Sequence, residues 1–366
     1  MYDAIVVGAR CAGSPAAMLL ARKGYRVLLA DKASFPSDTM STHYIHPPGV
    51  ARLGRWGLLE RLRATNAPPI LKLTVHMAGV AFSPPPPDGG PVAEAWCPRR
   101  TVLDTILVHA AVEAGAELRE DFPVRELVRD GERVCGVRGG REGSLVTEEA
   151  RIVIGADGLH SLVARAVEAP AYRTIPSLTF GYYAYWSGVP QDGAEIHMLE
   201  DCGVLVFPTN DDSMCIAAGS GIAGFHEFRK DVEGNYLRIL DKVPGLDVRL
   251  RGARRESRIL GTADQPNYFR RPFGPGWALV GDAGYHRDFI TGLGITDAFR
   301  DAELLADAID DGFAGRRPLD EALAGYEEAR NEIATPLYEF TTQMASLTGP
   351  PSPELFVQFG AAMSKT

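Results

Sequence analysis

Residues 2–13 have the sequence Tyr2-Asp3-Ala4-Ile5-Val6-Val7-Gly8-Ala9-Arg10-Cys11-Ala12-Gly13. The apolar run that ends at Gly8 is typical of a strand in a parallel sheet that is buried on both faces. Small and apolar residues follow at helical spacing over 13–23, and Gly24 stands where a glycine ends a helix. Residues 25–30 then predict a second strand, which closes at Asp31. Together these segments predict a β-α-β unit with a glycine-rich first turn.

The glycine-rich turn has the spacing of a dinucleotide-binding site. Gly8 takes the position of the tight turn and Gly13 that of close helix–strand packing, while Arg10 replaces the glycine that admits the pyrophosphate. Arg10 either points outward or adds positive charge beside the pyrophosphate. Asp31 follows Gly8 by 23 residues, near the spacing of an acid that accepts hydrogen bonds from a ribose 2′-hydroxyl. Such an acid suits FAD or NAD rather than NADP; the alternative for Asp31 is a solvated strand end.

Two further glycine motifs lie far along the chain. Gly155-Ala156-Asp157-Gly158 follows the apolar run 151–154, and Gly281-Asp282-Ala283-Gly284 precedes Thr291-Gly292-Leu293-Gly294-Ile295-Thr296-Asp297. One such turn after a buried strand predicts a dinucleotide site. Several turns together predict that one extended cofactor is held from end to end. This pattern favours FAD, and therefore redox chemistry.

Composition limits the class of protein. The chain has 366 residues, 45% hydrophobic and 23% charged, which is ordinary for a soluble globular protein of two domains or one large one. The net charge of −9, with scattered Lys and Arg, argues against a nucleic-acid partner. Five cysteines without a CxxC pair or His-rich spacing predict free thiols and no metal site. Without a leader pattern or a long apolar run, we expect a cytoplasmic protein with no integral membrane segment.

Patterning predicts three regions. Residues 1–67, 98–170 and 258–330 are assigned to a discontinuous cofactor-binding domain, with a helix over 101–115 and a hairpin around Asp130-Gly131. Residues 68–97, with the loop-forming run 84–90, and residues 171–257, rich in aromatic and β-branched types, are assigned to an antiparallel sheet that binds substrate. Helices are predicted over 294–311 and 317–340, and residues 331–366 form a C-terminal helical segment.

In order and spacing, these motifs resemble the p-hydroxybenzoate hydroxylase-like flavoprotein superfamily, which contains class A aromatic hydroxylases, geranylgeranyl reductases and flavin-dependent halogenases. The resemblance covers roughly residues 1–340. It implies an α/β fold: a Rossmann-like FAD-binding domain with an inserted antiparallel β-sheet domain and C-terminal helices.

The resemblance also implies roles for individual residues. Arg100 (or its neighbour Arg99) contacts the ribityl and phosphate region, Val124 contacts the adenine through its backbone, and Asp282 bonds the ribityl chain. Asp157 is associated with both FAD and NAD(P)H. The turn at 292–295 stabilises the reduced flavin. The predicted cofactor-binding set is Gly8, Arg10, Cys11, Ala12, Gly13, Asp31, Lys32, Arg100, Val124, Asp157, Gly281, Asp282, Gly292, Leu293, Gly294 and Ile295.

The chain departs from the family pattern near the flavin. Phe289 replaces a proline, Thr296 replaces an asparagine, and the usual histidine position is Tyr285, with His286 next. Candidate acids or bases are His43, His46 and His286, each of which has a purely structural alternative. Tyr182, Tyr183, Tyr185 and Trp186 line an aromatic-binding pocket or form simple core. Lys72 is the nearby candidate for the lysine of halogenases, an alternative that lacks the expected tryptophans.

The leading functional prediction is an FAD-dependent monooxygenase. NAD(P)H reduces the flavin, O2 adds at its C4a atom, and oxygen passes to a small aromatic or polyketide-like molecule, which is hydroxylated or epoxidised. The alternative is a reductase of isoprenoid-like double bonds, motivated by Phe207-Pro208 and the apolar C-terminal tail. A third possibility is a protein that binds FAD without turnover, motivated by the departures at Arg10, Phe289 and Thr296. The predicted partner is a small-molecule substrate, and the protein is expected to be a monomer or homodimer.

Overall fold

The computed structural model describes residues 1–41, 43–77, 79–83, 94–141, 143–190, 192–349 and 352–366. The proline-rich run over 84–90, which the sequence predicts to be a loop, lies outside the described residues.

The strands are β1 (Tyr2–Val7), β2 (Val27–Ala30), β3 (Leu73–Met77), β4 (Val80–Phe82), β5 (Glu117–Arg119), β6 (Val124–Asp130), β7 (Arg133–Gly139), β8 (Val146–Gly155), β9 (Ala171–Ile175), β10 (Thr179–Ser187), β11 (Ala194–Met198), β12 (Cys202–Pro208), β13 (Ser213–Gly221), β14 (Arg254–Arg255), β15 (Leu260–Thr262), β16 (Asn267–Arg270), β17 (Phe273–Gly274), β18 (Trp277–Leu279) and β19 (Tyr285–His286). The helices are α1 (Gly13–Arg22), α2 (Pro47–Arg55), α3 (Leu59–Arg63), α4 (Arg100–Glu113), α5 (Leu162–Ala166), α6 (Phe225–Phe228), α7 (Val232–Leu240), α8 (Leu246–Leu250), α9 (Gly294–Phe313), α10 (Leu319–Ala345) and α11 (Pro353–Lys365). Short 3-10 turns span Ile222–Gly224, Arg229–Asp231, Gly281–Ala283 and Phe289–Thr291.

The first sheet has the order β17-β18-β8-β1-β2-β5, with β6 and β7 added antiparallel beside β8. Strands β18, β8, β1, β2 and β5 run parallel, and their ends are in register because Gly155 pairs with Val7 and Leu279 while Val7 also pairs with Ala30. The carboxyl ends of these strands therefore meet at one edge, where ligands bind in open α/β sheets.

A large apolar core packs on the first sheet. Helices α1, α4 and α9 contribute to it together with alternate residues of β1 and β2, such as Val6 and Leu29, which are fully buried. The other face is covered by residues such as Ile5, Val153 and Trp277. Burial on both faces explains why these strands have continuous apolar runs.

The second sheet has the order β14-β10-β13-β12-β11-β3-β4, with β15 beside β10, and is antiparallel except where β3 pairs with β11. One face packs on α7 through residues such as Tyr236 and Leu240. The other carries Tyr183, Phe207 and Leu205 and contacts the loop that bears Tyr44. The predicted α/β class with an inserted antiparallel sheet is confirmed, while the exact domain boundaries stay a prediction.

Helices α6, α7 and α8 correct the expectation of an uninterrupted sheet over 171–257. Tyr236, Ile239, Leu240 and Val243 are all buried against the sheet and stand at positions i, i+3, i+4 and i+7. This is helical periodicity, so the signal was present in the sequence. The aromatic and β-branched content of the flanking strands concealed it.

A small third sheet joins β9, β16 and β19, and the C-terminal helices pack in sequence, α9 on α10 and α10 on α11. Leu293, Leu337 and Met363 form the apolar contact that ties α11 to this layer. Within the described ranges, the helices lack the combination of length and apolar character that crossing a bilayer requires.

Candidate active site

A cavity of about 930 Å³ runs along the carboxyl edge of the parallel strands. It extends from Asp31, after β2, past Gly8 and Asp157, after β1 and β8, to Gly281, after β18, and on to Gly294 at the start of α9. Ligand sites commonly measure about 300–1,000 Å³, so this cavity suits a large ligand. The edge of the sheet thus brings together glycine motifs that are as far apart in the chain as Gly8 and Gly294.

The turn after β1 has no space for a side chain at position 8 or 13. A Cβ atom on Gly8, whose φ is +103°, would lie 2.4 Å from the carbonyl oxygen of Ala156, and one on Gly13 would lie 1.8 Å from the carbonyl oxygen of Gly8. Cys11 and Ala12 line the cavity, whereas Gly13 acts by packing, since it is not among the lining residues. The N-terminus of α1 therefore stands close against the cavity, as phosphate binding requires.

Asp31 is buried at the end of β2 and lines the cavity. Its Oδ2 atom accepts a hydrogen bond from the backbone N–H of Ala9 at 2.7 Å, and Oδ1 accepts one from Ala33 at 2.8 Å. The carboxylate is thereby fixed to the glycine turn, and its remaining lone pairs are available to a ribose hydroxyl. Lys32 and Val124 line the same end of the cavity.

Arg10 and Arg100 share one buried carboxylate, that of Asp104. Arg10 donates to it at 2.6 Å, and Arg100 donates through two nitrogens at 3.0 and 3.1 Å. Two guanidinium groups facing one carboxylate leave a net positive charge on the cavity wall, which favours phosphate. Arg10 therefore does not point outward. Sequence analysis missed Asp104, although it follows Arg100 by one helical turn.

The Cys11 thiol also contacts Asp104, at 3.4 Å. Burial raises the pKa of the Cys11 thiol far above its usual range. The thiol therefore stays protonated and is a poor nucleophile.

Asp157 and Gly281 show whether the residues of the cavity suit an extended cofactor. Oδ2 of Asp157 accepts from the backbone N–H groups of Leu162 and Val163 at 2.7 and 3.2 Å, whereas its buried Oδ1 has no hydrogen-bond partner among the described residues. Burial raises the pKa of Asp157. Gly281 has φ +62°, and a Cβ there would lie 2.8 Å from the Cβ of Ala12. A free buried acceptor and a close glycine contact both fit a cofactor such as FAD.

Asp282 lies exposed on the cavity wall and makes no side-chain hydrogen bond within the described part of the chain. We expect Asp282→Ala to weaken FAD binding about tenfold or more, because one charge-assisted hydrogen bond contributes about 1.5–3 kcal/mol. The melting temperature of the apo-protein should not change, since no protein contact is lost. Titration of apo-protein with FAD and thermal melting measure the two effects. Unchanged FAD affinity would contradict the assignment of Asp282.

The N-terminus of α9 faces the far end of the cavity. Gly292, with φ +63°, ends the preceding turn, and Gly294 and Ile295 line the cavity. The first amides of a helix lack intrahelical partners and favour negative charge. Leu293, by contrast, is not among the residues that line the cavity, and its side chain is buried against Leu337.

His43 lines the cavity, whereas His46 lies behind its wall. The His43 ring is fully buried; its Nε2 atom hydrogen-bonds the Tyr185 hydroxyl, while Nδ1 has no partner among the described residues. Nε2 of His46 donates to the carbonyl oxygen of Thr291 at 2.9 Å, which braces the turn before Gly292. Burial lowers the pKa of His43 well below its usual value and that of His46 to about 4. Both imidazoles are therefore neutral at pH 7.

This burial predicts a pH effect on stability. His46 takes up a proton near pH 6.5 in the unfolded state and only near pH 4 in the folded state. Between these two pH values the unfolded state binds more protons. The free energy of unfolding therefore falls as the pH drops from 6.5 to 4. We expect His46→Gln to flatten this dependence by up to about 1.4 kcal/mol per pH unit, the slope of one proton. Denaturant unfolding at several pH values measures it. An unchanged slope would mean that the His46 ring is solvated.

His286 lines the cavity, and the structure orients its ring. Nδ1 lies 2.5 Å from the carbonyl oxygen of Pro266. Because a carbonyl oxygen only accepts, Nδ1 carries the hydrogen, and in the neutral ring Nε2 presents its lone pair. Nε2 has no hydrogen-bond partner among the residues described. His43 also lines the cavity with a ring nitrogen that has no partner among the described residues, but its ring is fully buried, so His286 is the candidate histidine whose free nitrogen is more accessible to a ligand.

Strand β10 and the turn after β19 form the wall opposite the parallel sheet. Gly181, Tyr182 and Tyr183 line the cavity there, and Phe289 lies against Gly181. Tyr185 instead supports His43, and the indole N–H of Trp186 donates to the hydroxyl of Tyr236 in the core behind the sheet. Sequence analysis also missed several lining residues, namely Phe122, Arg125, Thr262, Gln265, Arg287, Asp288 and Asp297.

Lys72 lies apart from this cavity. Its ammonium group pairs with Asp192 at 2.5 Å, and half of its side chain is exposed. It therefore offers no charge to a substrate beside the flavin.

Among the described residues, His76, Glu195 and His197 form a group whose potential ligand atoms lie within 4.8 Å of one another. The centroids of the two imidazole rings lie 4.2 Å apart with an angle of 13° between the ring planes, so the nitrogen lone pairs lie in nearly parallel planes. Arg249 bonds both oxygens of Glu195, at 2.8 and 2.9 Å. This geometry is that of a hydrogen-bonded cluster, and the absence of a metal stays a prediction.

The fold and the extended cavity define a protein that binds a long dinucleotide cofactor. The family model for the FAD binding domain matches residues 1–221, so the chain belongs to this family of FAD-dependent oxidoreductases. The predicted membership of the wider superfamily and the prediction of FAD as cofactor are confirmed.

Known proteins with several different activities are similar to this chain in sequence or in fold. Digeranylgeranylglycerophospholipid reductase of Methanothrix thermoacetophila is 26% identical over 90% of this chain and 83% of its own length. The structure of the myxobacterial chondrochloren halogenase CndH superposes with a TM-score of 0.87 at 21% identity, covering 100% of this chain and 90% of the other. PqsL, "a probable FAD-dependent monooxygenase" from Pseudomonas aeruginosa, superposes with a TM-score of 0.80 at 19% identity and 99% coverage of both. The two structural similarities establish the fold alone.

Proposed function

We propose that this FAD-dependent oxidoreductase is a monooxygenase that uses NAD(P)H and O2 to hydroxylate or epoxidise a small aromatic or polyketide-like substrate. The observation that carries the proposal is the wall formed by Tyr183 and Phe289 at the end of the cavity next to Gly292. Aromatic side chains favour flat, aromatic ligands through offset and edge-to-face contacts. The similarity of the fold to PqsL agrees with this assignment.

FAD, when bound, would accept electrons from NAD(P)H and activate O2. The residues of this chain would bind and orient: the turn at Gly8, with Asp31, Arg10 and Arg100, would hold the dinucleotide. The amides at the start of α9, Gly294 foremost, would favour negative charge at the reactive end. We assign to Nε2 of His286 the role of accepting a proton from a substrate hydroxyl. The hydrogen bond between Nδ1 and the carbonyl oxygen of Pro266 orients the ring for this role.

The test is a pair of experiments with purified holoenzyme. Anaerobic mixing with NADH or NADPH should bleach the oxidised flavin spectrum. A panel of phenols and polyketide enols under ¹⁸O2 should then yield a product that contains one labelled oxygen atom. His286→Asn should slow product formation while FAD content stays unchanged, and His160→Asn, at the exposed cavity mouth, is the matched control. Consumption of O2 with release of hydrogen peroxide alone, for every substrate, would count against the proposal.

A reductase of isoprenoid-like double bonds is the second candidate. The observation in its favour is the alignment with digeranylgeranylglycerophospholipid reductase across 90% of this chain. Reduction of such a double bond under strict anaerobiosis would establish this function instead. Flavin that stays oxidised with both nicotinamides would support the third possibility, an FAD-binding protein without turnover.

A further inference from the structure

Three glycines stand side by side across the second sheet. Gly219 of β13 pairs with Gly181 of β10 on one side and with Gly203 of β12 on the other. Directly paired residues lie on the same face of a sheet, and Gly181 is two residues from Tyr183, so the row faces the main cavity. Gly219 and Gly203 leave a trough on this face, while the Gly181 end of the row is covered by the Phe289 ring.

A side pocket of about 40 Å³ lies at this trough. Its lining is almost wholly apolar and includes Phe180, Leu205, Ala217, Phe289 and Leu347. A cavity of about 10–15 Å³ holds one water molecule, so this pocket has room for a chain of a few carbon atoms. The rim residues Met198, Gly203 and Leu347 are partly exposed, so the pocket reaches the surface on its far side.

Phe289 separates the side pocket from the main cavity. Phe289 and Ala217 line both spaces. The Phe289 ring covers Gly181 so closely that a Cβ there would lie 2.4 Å from the ring. The turn that carries the ring is anchored by Asp288, which bonds Thr179 at 2.7 Å and Asn267 at 2.7 Å. The partition is therefore one side chain on a well-held backbone.

Leu347, at the other end of the side pocket, supplies an independent observation. Its φ is +54°, a conformation that residues other than glycine rarely adopt. Leu347 follows Ser346, the C-cap of α10, at the position where a left-handed residue commonly ends a helix. The Leu347 side chain lines this end of the pocket.

We propose that Phe289 is a specificity-determining residue and that the side pocket binds an unbranched apolar arm of the substrate. The proposal deepens the proposed function and rests on it for the aromatic head group. The Phe289 ring limits the width of what passes from the main cavity, and the glycine row provides the path for a straight chain.

The test is isothermal titration calorimetry of the FAD-loaded protein with 4-methyl-, 4-ethyl-, 4-propyl- and 4-butylphenol. Affinity should rise about fourfold for each methylene that enters the pocket. Gly203→Val should fill the trough, since a Cβ there meets only an ordinary contact at 3.6 Å, and the gain from methyl to butyl should fall by about tenfold or more. Phe289→Ala should bring the affinities of 4-butylphenol and 4-tert-butylphenol within about threefold, whereas the wild type should favour the straight chain by about tenfold.

Thermal melting verifies that both variants fold, and either variant alone tests the proposal. A series without chain-length dependence, no binding of any member, or a series that neither substitution alters would overturn it. Calorimetry needs no turnover. Failure to transfer oxygen would therefore refute the proposed function while leaving the chain-length result intact. Oxygen transfer without any dependence of affinity on chain length would refute the side-pocket proposal alone.

Discussion

Gly13→Ala is expected to give a folded protein that retains almost no FAD, with an affinity at least about 100-fold below that of the wild type. A Cβ atom on residue 13 would lie 1.8 Å from the carbonyl oxygen of Gly8, and that oxygen belongs to a turn that is itself packed on Ala156. The overlap is relieved only if α1 moves away from the turn. Its amides then leave the phosphate position, and the loss of two hydrogen bonds accounts for about 3 kcal/mol.

Flavin absorbance of the purified protein and titration of the apo-protein with FAD measure this loss, and circular dichroism verifies folding. Gly54→Ala is the matched control, because Gly54 is exposed in α2 and a Cβ there meets only Leu59 at 3.8 Å. It should retain full FAD content and gain about 0.5–1 kcal/mol of stability from helix propensity. A Gly13→Ala protein as yellow as the wild type would refute the assignment of the cofactor turn.

Arg300→Met is expected to lower the free energy of unfolding by about 3–5 kcal/mol, because it leaves the buried Asp301 carboxylate unpaired. Arg300 is 1% exposed. It bonds Asp297 at 2.7 Å and Asp301 at 2.8 and 2.7 Å. Burial raises the pKa of Asp301, and the guanidinium group acts against that rise. Asp301 has no other cation bonded to it among the described residues, whereas Asp297 keeps Arg287.

Denaturant unfolding of the apo-protein measures the cost. Arg316→Met is the control, since Arg316 pairs with Asp310 and Asp311 at the surface with half of its side chain exposed, and its loss should cost less than about 1 kcal/mol. Adding Asp301→Leu to Arg300→Met should recover part of the stability, because the unpaired charge is removed as well. Equal costs for the two arginines would show that the buried network contributes no more than a surface pair.

Much of the fold follows from patterns of short range. The strand ending at Gly8, the helix that follows it and the turn at Asp31 all lie within 31 residues, and periodicity identified each of them. The same periodicity was present at Tyr236 and Leu240, where the helix was missed beside strongly β-forming segments. Local patterns are informative because strand and helix repeats depend only on neighbours two to four residues away.

The sequence alone determined the β-α-β unit, the glycine turns and the FAD cofactor, because a turn without room for a Cβ atom requires glycine wherever it occurs. Only the tertiary structure decided the partners of the side chains. Arg10 meets Asp104 across 94 residues, and Phe289 lies on Gly181. The carbonyl oxygen of Pro266 orients His286, and the Tyr185 hydroxyl hydrogen-bonds the buried His43 ring. Such contacts depend on how the two sheets pack together, and no pattern within one segment specifies which distant side chain will fill a given space.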